Sequence, residues 1–137
     1  MHVSKRILSG GLAILMGLAA CLTPAYAAPF DPTGLWEATD GESRYEVALC
    51  GDGTQLCAKL IWIRPDVVND RNKQYLNTFV VEGANRYNDR EWRGTINLYG
   101  VSVRGSVQRL APDRMQVRGC ALIILCERKT VTRIGSL

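Results

Sequence analysis

The chain has 137 residues, 47% of them hydrophobic, and a formal net charge of +4. That length suits one domain and is too short for two. The small charge, carried by scattered Arg and Lys, argues against a nucleic-acid or anionic-membrane binder built on a basic patch.

The first element in chain order is a leader. Lys5 and Arg6 precede an apolar run from Ile7 to Leu22, and Ala25-Tyr26-Ala27 follows as a small-residue cleavage site. The run is short for a membrane span and is interrupted by Gly10, Gly11 and Gly17. Residues 1–27 are therefore expected to be a cleaved signal peptide, and residues 28–137 a single domain. The mature net charge falls to +2, because Lys5 and Arg6 leave with the leader. Leu18-Ala19-Ala20-Cys21 resembles a lipoprotein processing site and offers the competing outcome, a lipid on Cys21. Membrane attachment is expected only in that case; otherwise the protein is periplasmic or secreted.

After Pro29 and Pro32, which hold an extended approach segment, short strands alternate with turn signals. Gly34 to Thr39 reads as a strand and Asp40-Gly41 as a hairpin turn. Ser43 to Cys50 comes next, with Tyr45, Val47 and Leu49 on one face. Gly51-Asp52-Gly53 turns the chain into Leu56 to Ile63, where Leu56, Ala58, Leu60 and Trp62 share parity. Residues 66–76 are polar and read as a long loop or one short helix. Thr78 to Val81 reads as a strand, ending at Gly83 and an Asn/Asp-rich turn at 85–89. Glu91 to Leu98, Val101 to Leu110, Met115 to Gly119 and Arg128 to Ile134 complete the set. About eight strands at this spacing predict an all-β fold, a small antiparallel barrel or sandwich.

Export implies an oxidising compartment, and four cysteines remain beyond the leader. Cys50 and Cys57 share parity with the polar faces of their strands and flank one hairpin loop. Cys120 and Cys126 repeat this around the apolar tip Ala121 to Leu125. Of the three connectivities, Cys50–Cys57 with Cys120–Cys126 fits antiparallel pairing best. A four-cysteine zinc site is the competing use, but its spacings suit zinc knuckles poorly, and no metal or other cofactor is expected.

The lone histidine, His2, lies in the leader. Its loss removes the commonest general base and the Ser-His and Cys-His arrangements, and no enzyme is expected. Glu37, Asp40 and Glu42 could form a carboxylate pair, but they sit at a turn and on exposed strand positions. Asp66, Asn69, Asp70 and Asn72 could offer oxygens to calcium, yet without the EF-hand spacing they read as a solvated loop.

Gly34-Leu35-Trp36, Asp40-Gly41, Cys50-Gly51, Leu56-Cys57 and Leu60-Ile61-Trp62 together resemble the bacterial domain-of-unknown-function family numbered 2147. Trp92-x-Gly94-x-Ile96, Val117-Arg118-Gly119-Cys120, Cys126 and Thr130-x-Thr132-Arg133 extend the resemblance across residues 34–133. The chain departs from the family pattern at Asp70-Arg71-Asn72-Lys73 and at the short Tyr99-Gly100-Val101 turn. The resemblance implies an exported, lipocalin-like small β-barrel. Gly34-x-Trp36 also resembles the lipocalin opening, which implies that Trp36 closes one barrel end beneath Arg133.

Two functions compete. A barrel of this size can hold one small apolar or amphipathic ligand, lined by Trp36, Tyr45, Val47, Leu60, Trp62 and Val103. Alternatively, the disulfide-held tip 121–125 binds an envelope protein, although five consecutive apolar residues are expected to tuck over the barrel mouth instead. Intact-mass measurement of the native protein should find a chain beginning near Ala28 without lipid; a diacylated species beginning at Cys21 would reverse that expectation.

Overall fold

A computed structural model of the chain describes residues 10–11, 19–25, 28–122 and 125–137. Most of the expected leader lies outside the described residues. Eight strands follow in order: β1 Gly34–Ala38, β2 Ser43–Cys50, β3 Gln55–Ile63, β4 Phe79–Asn88, β5 Glu91–Leu98, β6 Val101–Ala111, β7 Arg114–Ala121 and β8 Leu125–Gly135. Each pairs antiparallel with its sequence neighbours, and β1 also pairs with β8, so the sheet closes into a barrel. Closure leaves no strand edge exposed. The all-β, eight-stranded antiparallel barrel expected from the sequence is the observed fold.

Alternation drives the architecture. On β1 the residues Gly34, Trp36 and Ala38 are buried while Leu35 and Glu37 are half-exposed. The same period runs around the barrel and gathers Trp36, Val47, Leu56, Val81, Trp92, Ile96, Val107, Met115 and Val131 into one core. Small inward residues such as Ala58 and Ala84 fill the remaining positions.

Three local features differ from the sequence expectation. The 66–76 region holds two short 3₁₀ turns, Pro65–Val67 and Lys73–Tyr75, instead of one helix. Asx turns compete with helix there: the Asn69 side-chain oxygen accepts from the N–H groups of Arg71 and Asn72, both at 2.9 Å. Strand β4 runs on through the expected 85–89 turn to Asn88. It does so because Gly83, at φ 68°, absorbs a bulge inside the strand. Finally, the β2–β3 register shifts so that Arg44 faces Trp62 while Tyr45 faces Leu60. The extra residue, Ile61, reverses the parity of the residues after it. Ile63 becomes buried, whereas Trp62 turns outward beneath the Arg44 guanidinium, 4.3 Å from the ring centre.

Both disulfides lie near the ends of their ladders, Cys50 to Cys57 and Cys120 to Cys126, with Cα separations of 5.9 and 4.0 Å. Cys120 and Cys126 are themselves register partners, and one further pair, Ala121 and Leu125, follows them on the ladder. Leu122 and Leu125 are 77% and 61% exposed. The tuck expected of the 121–125 tip is thus not found for Ala121, Leu122 and Leu125; Ile123 and Ile124 lie outside the described residues.

One barrel end is sealed. Trp36 is fully buried, and its indole N–H donates to the Pro32 carbonyl at 2.9 Å. Arg133, its β8 register partner, lies over the indole at 4.5 Å. The guanidinium also donates to the carbonyls of Thr33 and Asp31. Gly34 makes the approach feasible, since a Cβ there would lie 2.8 Å from both Arg133 Nη1 and the Gly135 carbonyl. Phe30 completes the seal, 6.1 Å from Trp92 and beneath the Arg109 guanidinium at 4.5 Å.

The sealed end predicts coupled stabilities. Trp36→Ala should cost about 3–5 kcal/mol as a large-to-small core change. Arg133→Ala should cost about 2 kcal/mol, because a charged donor to two carbonyls is lost together with the cation–π contact. A double-mutant cycle by chemical denaturation should show non-additivity of at least about 0.5 kcal/mol; additive losses would sever the two residues energetically.

Candidate functional site

Among the described residues the opposite end is open. It is built by the β1–β2 turn at 39–42, the β3–β4 segment at 64–78, the β5–β6 turn at 99–100 and the adjoining parts of β7 and β8, including Gly119 and Glu127. These frame a cavity of about 770 Å³. Below it, towards Trp36, lies an apolar recess of about 80 Å³, walled by residues such as Val47, Leu56, Ala58, Val107 and Met115. Tyr45, Val80, Ile96, Leu98, Val117 and Lys129 line both spaces, so the two adjoin.

The expected lining residues divide accordingly. Tyr45 lines both spaces, Trp36 and Val47 wall the recess, and Leu60 walls the mouth. Trp62 lines neither, for the bulge at Ile61 turns it to the outer surface. Val103 is buried in the core but lines neither space. Its position opposite Ile96 places it against Gly119, whose missing side chain it fills.

The mouth is held open by specific contacts. The 64–78 segment is pinned by Asn72, whose side-chain N–H donates to the Val67 carbonyl at 2.8 Å and whose side-chain oxygen accepts from the Asn69 N–H. Arg64 ties the segment to the first turn through the Asp40 carbonyl and, at 3.7 Å, the Glu42 carboxylate. Across the opening, Tyr75 meets Tyr99 edge-on at 5.9 Å. Tyr99 reaches that position because it and Gly100 both take left-handed turn conformations, φ 45° and 84°. The oxygens considered as calcium ligands have protein partners: Asp66 pairs with Arg64, Asp70 with Lys73, and those of Asn69 and Asn72 accept backbone N–H groups. Among the carboxylates considered for catalysis, Glu37 pairs with Arg44 at 2.7 Å on the outer face.

Lys129 is the functional candidate that the sequence reading does not single out. It lies on β8 with the same parity as Val131 and Arg133, both turned inward. That parity is the signal the sequence carries for it. Its ammonium contacts the Asp40 carboxylate at 3.7 Å. Burial alone would push the ammonium down; Tyr45, Asp40, Tyr99 and Glu42 together outweigh that and hold it above its ordinary value. Lys129 therefore stays protonated at neutral pH. Nearby, Ser43 and Tyr45 share a hydroxyl–hydroxyl hydrogen bond of 2.9 Å, with Ser43 buried.

Residues 34–133, nearly the whole barrel, match the family described as an uncharacterized protein conserved in bacteria, DUF2147. The chain belongs to this family. Searches of curated proteins and of solved structures gave no significant match. For this DUF2147 barrel the two disulfides point to an oxidising, non-cytoplasmic compartment.

The tyrosine pair predicts a local effect at the mouth. Tyr75→Ala should cost about 1 kcal/mol of global stability while markedly speeding amide hydrogen exchange across 65–78. An unchanged exchange pattern would show that Tyr75 does not hold the segment.

Proposed function

We propose that this protein is an exported, non-enzymatic carrier or sensor that holds one small apolar or amphipathic molecule in the open end of its barrel. The observation that carries the reading is the mouth cavity set directly over the apolar recess, with six wall residues in common. A volume near 770 Å³ falls in the range of small-molecule sites. Apolar walls with a few convergent polar groups are the usual composition of such sites. The leader supports a periplasmic or secreted location. The absence of histidine from the mature sequence supports binding over acid–base chemistry.

A second reading has its own observation. Leu122 and Leu125 stand exposed beside the Cys120–Cys126 disulfide, apolar side chains of the kind that fit a pocket on an envelope protein. It does not account for the cavity, which is why ligand binding is preferred.

Val117 lines both spaces, so Val117→Phe should obstruct them. A neutral environment-sensitive dye should brighten on titration with the native protein, and Val117→Phe should weaken its binding about tenfold, equal to about 1.4 kcal/mol. Equal binding by both proteins, with both folded by circular dichroism, would place the dye elsewhere and count against the barrel as a carrier.

A further inference from the structure

We propose that the ligand carries a single acidic group, a carboxylate or an equivalent monoanion, which docks on Lys129 at the junction of mouth and recess with a short apolar arm below it. The inference deepens the ligand-binding reading and rests on it.

Three observations support the assignment. First, among the residues that wall the recess, Lys129 is the charged one, and the remainder are apolar apart from the Tyr45 hydroxyl. An amphipath that places its apolar arm in the recess must therefore present its head group to an ammonium. Second, that ammonium is poorly answered. Its Asp40 partner is 3.7 Å away, and both side chains are about two-fifths exposed, at 38% and 46%. Such a pair contributes little, so an incoming carboxylate can replace it at small cost. The other Asp40 oxygen, Oδ1, accepts the Glu42 N–H at 2.9 Å, which leaves Oδ2 as the one that faces Lys129. Arg133, the β8 cation at the sealed end, is instead satisfied by two backbone carbonyls and an indole face. Third, the Ser43–Tyr45 hydroxyl pair has a hydrogen to spare. Two hydroxyls that share one hydrogen bond use one donor and leave the other free. Ammonium and hydroxyl together give a carboxylate two donors, one of them charge-assisted.

The rest of the mouth sets the charge limit. Asp40, Glu42 and Glu127 face the same cavity as Arg128 and Lys129. Three carboxylates against two cations disfavour a multiply charged head such as a phosphate ester, while a monoanion seated on Lys129 is tolerated. Glu42 is drawn aside by Arg64.

Octanoate, octanol and octylamine share one chain and differ in the charge of the head, which separates the inference from the reading beneath it. Calorimetric titration at pH 7 should show octanoate binding at least about tenfold more tightly than octanol, with octylamine weakest. Lys129→Met should bring octanoate down to the octanol level and leave octanol unchanged. Tyr45→Phe should weaken octanoate about threefold and serves as the test if Lys129→Met does not fold. Octanol or octylamine binding as tightly as octanoate, or octanoate indifferent to both substitutions, would overturn the monoanion assignment and leave the barrel a carrier of another class. Failure of all three compounds to bind the native protein would overturn both.

Discussion

The barrel depends on one short strand finding two partners. Only five residues of β1 bridge β2 on one side and β8 on the other, and without them the sheet would carry two raw edges. The row that crosses this seam is Tyr45, Trp36 and Arg133, joined by register on both sides. Trp36 supplies the buried bulk, Arg133 clamps it to the incoming chain, and Gly34 gives the guanidinium room to pass. The first and last parts of the barrel sequence are thus bound through a fully buried indole. Contacts about 100 residues apart must form before the sheet closes, which makes the seam a late and entropically demanding event in folding.

The same inward stripe on β8 serves two ends of the molecule in different ways. Arg133 and Lys129 are four residues apart and face the interior alike, yet their surroundings set their roles. Around Arg133 the chain supplies carbonyl acceptors and aromatic faces, and the cation becomes part of the wall. Around Lys129 it supplies hydroxyls, a distant carboxylate and empty volume. A cation whose acceptors are all built in is structural; one whose acceptors are incomplete is available to something from outside.

Much of this is legible in the sequence. Alternation marks the strands because one face of each is buried and the other wet, and it pairs the cysteines for the same reason. The Trp36–Arg133 contact comes from the resemblance of Gly34-x-Trp36 to a lipocalin opening. What alternation does not show is where it breaks. Nothing in Leu60-Ile61-Trp62-Ile63 announces a bulge, since all four residues are apolar and fit either face; the bulge is settled by the facing strand. Gly83 reads as a stop because glycine often ends a strand, whereas here its positive φ allows the strand to continue past a bulge. Phe30, ahead of the first strand, has no periodic context to mark it as the plug beside Trp92. Lys129 is readable by parity but easily missed, because a lysine in a strand is ordinarily assigned to solvent.

The plug of Phe30, Trp36 and Trp92 at the sealed end has a kinetic consequence. A vessel with one opening cannot be flushed through: under the proposed ligand-binding role, an occupant would leave by the path it took in, and a successor would wait for it. The lifetime of such a complex would then be governed by the rim, where two tyrosines and an Asn-braced segment stand, more than by the depth of the recess. On that proposal, substitutions at the rim would alter how quickly a ligand is exchanged with little change in which ligand is preferred, so rate and selectivity could drift independently.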